Sequence, residues 1–392
     1  MHNFDTVNSL FVQRFGRTPI YEIKACGRIN IIGEHTDYNL GYVLPAAIDK
    51  YIYFVGAPNG LDHCRVYAAD IDEYDTIPLG NPLQKSARLW INYLTGILDQ
   101  YQRQGAQLEG LDVVFGGNLP LGSGMSSSAA LETGFATLAK TAYGIDIEKP
   151  EIARLAQRSS HQFVGVPCGI MDQFASLMGR EKQLVLLDCR SLTYEYIPCD
   201  LGNYEIVLIN SKVSHNLSDS AYEARVEECA KGVEVLQKTY PEVKSLRDAT
   251  QEMVKAEEAA LGPIVYRRCL YVTSENERLL QVCDALRNGR VEEVGPLLFE
   301  THAGLRDLYE VSCEEVDFLV NFAKEHPGVI GSRIMGGGFG GCSINLVDRS
   351  QSQAFIESIQ EAYLTAHGRS AEAYQVNIVD GTDLVKSELL SS

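Results

Sequence analysis

Three segments carry side chains whose types and spacing could do chemistry. GRINIIGEHTDYN, Gly27 to Asn39, gathers Arg28, Asn30, Glu34, His35, Thr36, Asp37, Tyr38 and Asn39 around a short apolar run. Carboxylates and an imidazole held this close suit bidentate recognition of vicinal sugar hydroxyls. A metal site is the obvious rival, although H-E-x-x-H is absent and the acid–imidazole spacing is tight for chelation by one loop. A solvated polar loop is the plainest alternative.

The second segment is NLPLGSGMSSSAALE, Asn118 to Glu132. Gly122 and Gly124 permit close backbone approach or positive φ, and Ser126, Ser127 and Ser128 follow directly before a helical pattern. A loop of this kind points unpaired N–H groups along the positive end of a helix dipole, which suits a polyphosphate, and Ser128 could add a hydroxyl ligand for Mg²⁺. A serine-capped helix after an ordinary turn reads the same way. The segment is not a Walker A loop, because the chain contains no Gly-Lys pair.

In the third segment, CGIMDQFASLMG, Asp172 sits among Ile170, Met171, Phe174 and Leu177. A carboxylate in apolar company must be paired, which makes Asp172 a candidate general base or ion-pair partner; a helix-capping role remains open. A G-x-G-x-x-G match at Gly336, Gly338 and Gly341 precedes strand-like CSINLV rather than a helix, so it reads as a glycine turn packed against a ligand or another loop, not as a dinucleotide fingerprint.

The elements that must position these groups alternate at first. Strands are expected at Tyr21 to Ile32, Tyr51 to Pro58 and Leu111 to Gly117. From Ser126 the apolar stripe Ala130, Leu131, Phe135, Leu138 and Ala142 has helical spacing. A hairpin is expected near Gln183 to Cys199 and a strand at Tyr204 to Ser211. A helical, charged stretch then runs to about Phe322, and the tail reads strand, helix, strand, with its last strand at Ala373 to Asp380. Segregated strands and helices predict an α+β fold. A chain of 392 residues exceeds one ordinary core, so two domains are expected, 1–198 and 199–392.

Composition narrows the partners. The net charge of −18 argues against nucleic acid or an anionic membrane as the main partner, and makes an anion site depend on backbone N–H groups, a metal and a few placed cations. No apolar run is long enough for a membrane span, and the opening MHNFDTVNSLFVQRFG lacks a signal-peptide pattern, so a cytoplasmic location is expected. Ten cysteines without a C-x-x-C pair read as buried reduced thiols rather than as a zinc site. Nothing in the sequence identifies a protein partner.

Taken together, these segments resemble the galactokinase family of the GHMP small-molecule kinases. GRINIIGEHTDYN is similar to that family's signature, PLGSGMSSSAALE to the superfamily phosphate loop and SRIMGGGFGGC to its C-terminal glycine motif; CGIMDQF and the stretch around SDSAYEARVEEC also match. The resemblance implies a two-domain fold with the active site in the cleft between the domains, and an ATP-dependent kinase that phosphorylates galactose at C1. It assigns Arg28, Glu34, His35, Asp37, Gly169, Asp172 and Tyr222 to the sugar. Gly122, Ser123, Gly124, Met125, Ser126, Ser127 and Ser128 would wrap the ATP phosphates, with Ser128 on Mg²⁺. Asp172 would accept the hydroxyl proton, helped by Arg28.

Four positions depart from the family pattern. Ser160 stands where a second Mg²⁺-binding glutamate is usual, Ser214 where a basic residue precedes the His-x-Leu run, Cys26 where a proline is common and Ala68 where a serine is frequent. The first two remove charge from the triphosphate's surroundings and imply a raised Mg²⁺ requirement. They also leave room for a weakly catalytic galactose and ATP sensor, and a related sugar is the third alternative.

Overall fold

The computed structural model describes residues 2–214 and 218–387. Its strands are β1 (Tyr21–Asn30), β2 (Tyr42–Val43), β3 (Pro45–Pro58), β4 (His63–Ala68), β5 (Glu73–Pro78), β6 (Leu111–Gly117), β7 (Gln183–Asp188), β8 (Tyr194–Pro198), β9 (Tyr204–Ser214), β10 (Val329–Ile334), β11 (Gly340–Asp348), β12 (Glu372–Val376) and β13 (Asp383–Ser387). They form a six-stranded sheet in the order β13-β1-β3-β6-β4-β5, a four-stranded sheet β10-β11-β9-β12 and a three-stranded sheet β2-β7-β8. Every adjacent pair is antiparallel except β4 with β6. The fold is α+β, as expected.

Central strands bury both faces, and their sequences match. LDVVFGG of β6 is buried throughout, and its neighbour β3 is long and largely apolar. The helix Ser127–Tyr143 lies across β1 and β3 on the stripe read from the sequence, with Ala130, Leu131, Phe135 and Leu138 buried. Gly134 makes that approach possible: a Cβ there would stand 2.4 Å from the Phe54 ring and 2.6 Å from Ala25. The N-terminus of the helix is thereby fixed over the end of β1.

β1 is irregular where it matters. Cys26 pairs with Tyr51, but Arg28 pairs with Ala47, so the ladder breaks around Gly27. Such a break re-aims the next side chain, here Arg28.

The loop between β8 and β9 coincides with the division expected at 198/199. The chain nevertheless returns: β13 pairs with β1. One apolar core also runs across the division, joining Ile29 and Leu184 to Ile206, Leu279 and Ile344. The last strand of the second sheet is shorter than the sequence suggested, ending at Val376. Beyond it Asn377 turns to Asp49 of β3, bonding it through backbone and side chain. Between β9 and β10 the helices are Ser218–Thr239, Gln251–Ala256, Glu258–Arg287 (broken at Gly262), Val291–Ala303 and Glu314–Glu325. Among the described residues no helix is long and apolar enough to cross a membrane.

Candidate active site

Two of the three segments singled out in the sequence line one cleft of about 420 Å³, and the Asn118–Glu132 segment is hydrogen-bonded to its Arg28 and Asp172. Arg28, Glu34, His35, Asp37, Gly169, Asp172 and Tyr222 all line it, together with Gly336 to Gly338 of the glycine turn. The arrangement starts at the break in β1. The Arg28 backbone N–H bonds the Met125 carbonyl at 3.1 Å, and its guanidinium bonds the Gly124 carbonyl and, at 2.8 Å, Asp172 Oδ1. Ser126 Oγ donates to the other oxygen of Asp172 at 2.5 Å. Arg28 is buried, whereas Asp172, in the first turn of the helix Met171–Met178, keeps 32% of its side chain exposed to the cleft.

The opposite wall is the loop after β1. Gly33 has φ +100°, and a Cβ there would meet the Tyr42 carbonyl at 2.8 Å. His35 adopts φ +62°, rare for a residue with a Cβ. Its Nδ1 bonds the Tyr38 hydroxyl at 2.9 Å, while its buried Nε2 has no hydrogen-bond partner. Burial depresses the imidazole to a pKa of about 3, so the ring is neutral. Asp37 packs against Gly169 so closely that a Cβ there would overlap its Oδ2, at 1.4 Å. Burial first, and then the Asp172 charge, push the Asp37 carboxyl up to about 7. Glu34 accepts the Gly336 N–H at 2.9 Å, which ties the glycine turn to the cleft. Tyr222 closes the side, its ring centroid 5.5 Å from that of His35.

The Gly122–Ser128 loop is bonded to Arg28 and Asp172 of this cleft and, through Ser127 and Ser128, lines a second cavity. Gly122 and Gly124 have φ +67° and +76°. Ser127 and Ser128, at the open end of the long helix, line the second cavity of about 550 Å³, but Ser123 and Met125 point inward and are buried. That cavity is mainly apolar, walled by Ile52, Trp90, Tyr93, Phe115 and Leu131, with Asp70, Glu73 and Arg88 at its edge. The Trp90 indole N–H bonds Glu73 Oε2 at 2.6 Å, which fixes the ring. Ala68 lines it too. Of these wall residues only Leu131, as part of the helical stripe, and Ala68 stood out in the sequence; the one further signal available was Trp90, the chain's single tryptophan.

The positions that depart from the family pattern can be placed. Ser160 is buried in a π-type turn, Ser160–Val164, and donates to Glu132 Oε1 at 2.5 Å; Gln173 Nε2 donates to the other oxygen at 3.1 Å. Burial pushes Glu132 up to about 8 despite those two bonds. Cys26 lies in β1, its N–H on Thr382 Oγ1. The side chain of Ser214, and His215, lie outside the described residues.

Among the described residues no group of three or more His, Cys, Asp or Glu could hold a metal ion by itself. Ser127 and Ser128 of the helix tip both line the second cavity, and Ser128 is the more exposed of the two. That donor set fits a hard divalent ion that keeps its waters and rests mainly on phosphate oxygens, not a dedicated protein cage.

Comparison with known proteins identifies the family. Residues 9–58 match the galactokinase galactose-binding signature, 92–180 the GHMP kinases N terminal domain and 283–364 the GHMP kinases C terminal domain. The chain is 39% identical to a galactokinase of Roseiflexus sp. (strain RS-1), over 96% of this chain and 95% of that one. It is 37% identical to a galactokinase of Thermotoga maritima, over 93% of this chain and the whole of the relative. Among solved structures, Lactococcus lactis galactokinase complexed with galactose superposes with a TM-score of 0.92 at 31% identity, covering 97% of this chain and 99% of that one. Methanococcus jannaschii mevalonate kinase shares the fold, with a TM-score of 0.65 at 14% identity over 92% of this chain and 98% of that one.

Proposed function

The chain belongs to the galactokinase family of the GHMP kinases, and from that premise we propose that it transfers the terminal phosphoryl group of ATP to the C1 hydroxyl of galactose. The observation that carries the reading is the direct bonding of Asp172 to Arg28 and to the Gly124–Ser126 loop, which makes base and phosphate loop one unit at the cleft.

In this reading the sugar lies in the cleft lined by Glu34, His35, Asp37, Gly169 and Tyr222. Carboxylates there accept hydrogen bonds from its hydroxyls. The nucleobase occupies the apolar cavity beside Trp90. The polyphosphate crosses the helix tip at Ser127 and Ser128, where first-turn N–H groups lack intrahelical partners. Mg²⁺ is the divalent ion we assign; Ser128 would hold it, and it would neutralise phosphate charge.

The C1 oxygen bonds to the γ-phosphorus as the bond to the ADP oxygen breaks. The hydroxyl proton passes to Asp172, and Arg28 stabilises the negative charge as it moves from the carboxylate to the C1 oxygen. Positioning and charge neutralisation carry most of the rate, because the phosphoryl transition state is loose.

The two-domain division at 198/199 belongs to the same reading; the β8–β9 loop supports it, with β13 as a segment that crosses back. We assign the enzyme to the cytoplasm, where ATP is available; the ten free cysteines suit a reducing compartment.

The test is ADP release in a coupled assay with galactose and ATP. Turnover with galactose is expected, together with a loss of about 10²–10⁴-fold in Asp172→Asn, the range for removing a positioned general base. An Asp172→Asn protein with wild-type turnover defeats the assignment of the base.

A further inference from the structure

Ser126 is unusual in three ways at once. It is the residue before the helix Ser127–Tyr143, the place where a serine normally caps, yet its side chain makes no capping bond. Its backbone is left-handed, φ +57° and ψ +56°, a conformation that is unfavourable for any residue with a Cβ and natural for glycine. Its hydroxyl instead crosses to Asp172 Oδ2 at 2.5 Å. Neither helix capping nor backbone preference accounts for a serine here. The bond to the carboxylate does.

Arg28 Nε already holds Asp172 Oδ1 at 2.8 Å. One donor on each oxygen fixes both the position and the plane of a carboxylate, which a single donor leaves free to rotate. Arg28 is locked in turn, by the Gly124 carbonyl on its guanidinium and the Met125 carbonyl on its N–H. The carboxylate is thus clamped between β1 and the loop, and each oxygen keeps one lone pair for a third partner.

We propose that Ser126 is a positioning residue for the base: its hydroxyl serves Asp172 rather than the nucleotide, and it holds the carboxylate at the angle from which it receives the sugar's proton. The inference rests on the reading of Asp172 as the base, and it reassigns Ser126 from the phosphate-wrapping set. The strained backbone is retained because glycine, which fits that conformation, has no hydroxyl to offer.

The experiment compares Ser126→Gly and Ser126→Ala with Asp172→Asn in the full-length enzyme. It measures melting temperature, kcat, and KM for galactose and for ATP. Ser126→Gly removes hydroxyl and backbone strain together, so it should melt no lower than the wild type while kcat falls about tenfold or more, with KM for ATP within twofold, since a misplaced catalytic group costs up to about 10²-fold. Ser126→Ala keeps the Cβ and should show the same kcat loss; it stands as the readout if the glycine variant melts low.

Unchanged kcat in both variants overturns the inference, and so does a defect confined to KM for ATP. If Asp172→Asn keeps wild-type turnover, the reading of the base has failed instead. If Asp172→Asn is inactive while both Ser126 variants are fully active, only the role of Ser126 is lost.

Discussion

Glu34 and Arg333, 299 positions apart in the chain, form an ion pair at 3.0 Å with both side chains almost wholly excluded from solvent. The guanidinium is further saturated by the carbonyls of Asn30, Ile31 and Ile334. The pair bolts the glycine turn after β10 to the sugar-binding loop after β1. Removing one partner strands the other as a buried charge, which costs about 3–5 kcal/mol. Arg333→Met is therefore expected to lower stability by that order in urea unfolding, while Glu34→Gln, which keeps a carbonyl acceptor, costs less. Equal and negligible losses for the two would contradict the pairing.

If Asp37 holds the sugar as proposed, galactose binding has a pH dependence close to neutrality. Its carboxyl is held near 7, so it is increasingly protonated as pH falls below that value. The protonated form has lost acceptor capacity for sugar hydroxyls. KM for galactose is expected to rise as pH drops from 7.5 to 6 by about tenfold, the limit being one decade per unit below the pKa. In Asp37→Asn that slope should vanish, with KM high throughout. For the sugar-free fold the sign is opposite. A carboxyl whose pKa is raised on folding stabilises relatively at low pH and loses that contribution as pH climbs from its unfolded value towards 7. Bound galactose should therefore raise the melting temperature more at pH 7.5 than at pH 6.

Glu132 and Ser160 should behave as a neutral acid and its partner, not as a charged ligand. With Glu132 near 8, the acid is mostly protonated at pH 7. Glu132→Gln should then be close to wild type at pH 6.5 and more stable at pH 9, where the wild type must bury a charge. Thermal melts at both pH values decide it. Ser160→Glu would set a second carboxylate against Glu132, so we expect a lower melting temperature that Mg²⁺ with ATP partly restores. A submillimolar Mg²⁺ optimum in the unmodified protein would remove the case for a raised requirement.

Trp90 offers a direct reporter for the nucleotide. It is the only tryptophan in the chain and walls the apolar cavity. ATP should change its fluorescence and galactose alone should not. Trp90→Ala is expected to raise KM for ATP by about tenfold, the order lost with one buried aromatic stack, and to leave KM for galactose in place. Glu73→Gln, which weakens the grip on the indole N–H, should give a smaller shift in the same direction. A fluorescence response to galactose alone would contradict this placement.

Much of the site was legible because its chemistry is local in sequence. Arg28, Glu34, His35 and Asp37 fall within one loop, and the serine-rich turn announces a helix start, so type and spacing were enough to find them. What stayed hidden depends on distant pairing. Arg333 reads as one basic residue before a glycine run, and only the fold brings it to Glu34. The cavity around Trp90 is assembled from β3, β6, the helix Leu89–Arg103 and the helix Ser127–Tyr143, none of which marks its wall by pattern. Ser126 looked like one of three equivalent serines until its left-handed backbone turned its hydroxyl to Asp172. β13 was missed for another reason: five partly polar residues at a sheet edge carry little periodicity.

That last strand has a consequence for how the protein is made. β1, which carries Arg28, pairs on one side with β3 and on the other with residues 383–387. While the chain is still emerging from the ribosome, β1 therefore waits with part of one edge unpaired, a ready template for wrong partners. The strand that bears the arginine is made long before the segment that closes its other edge.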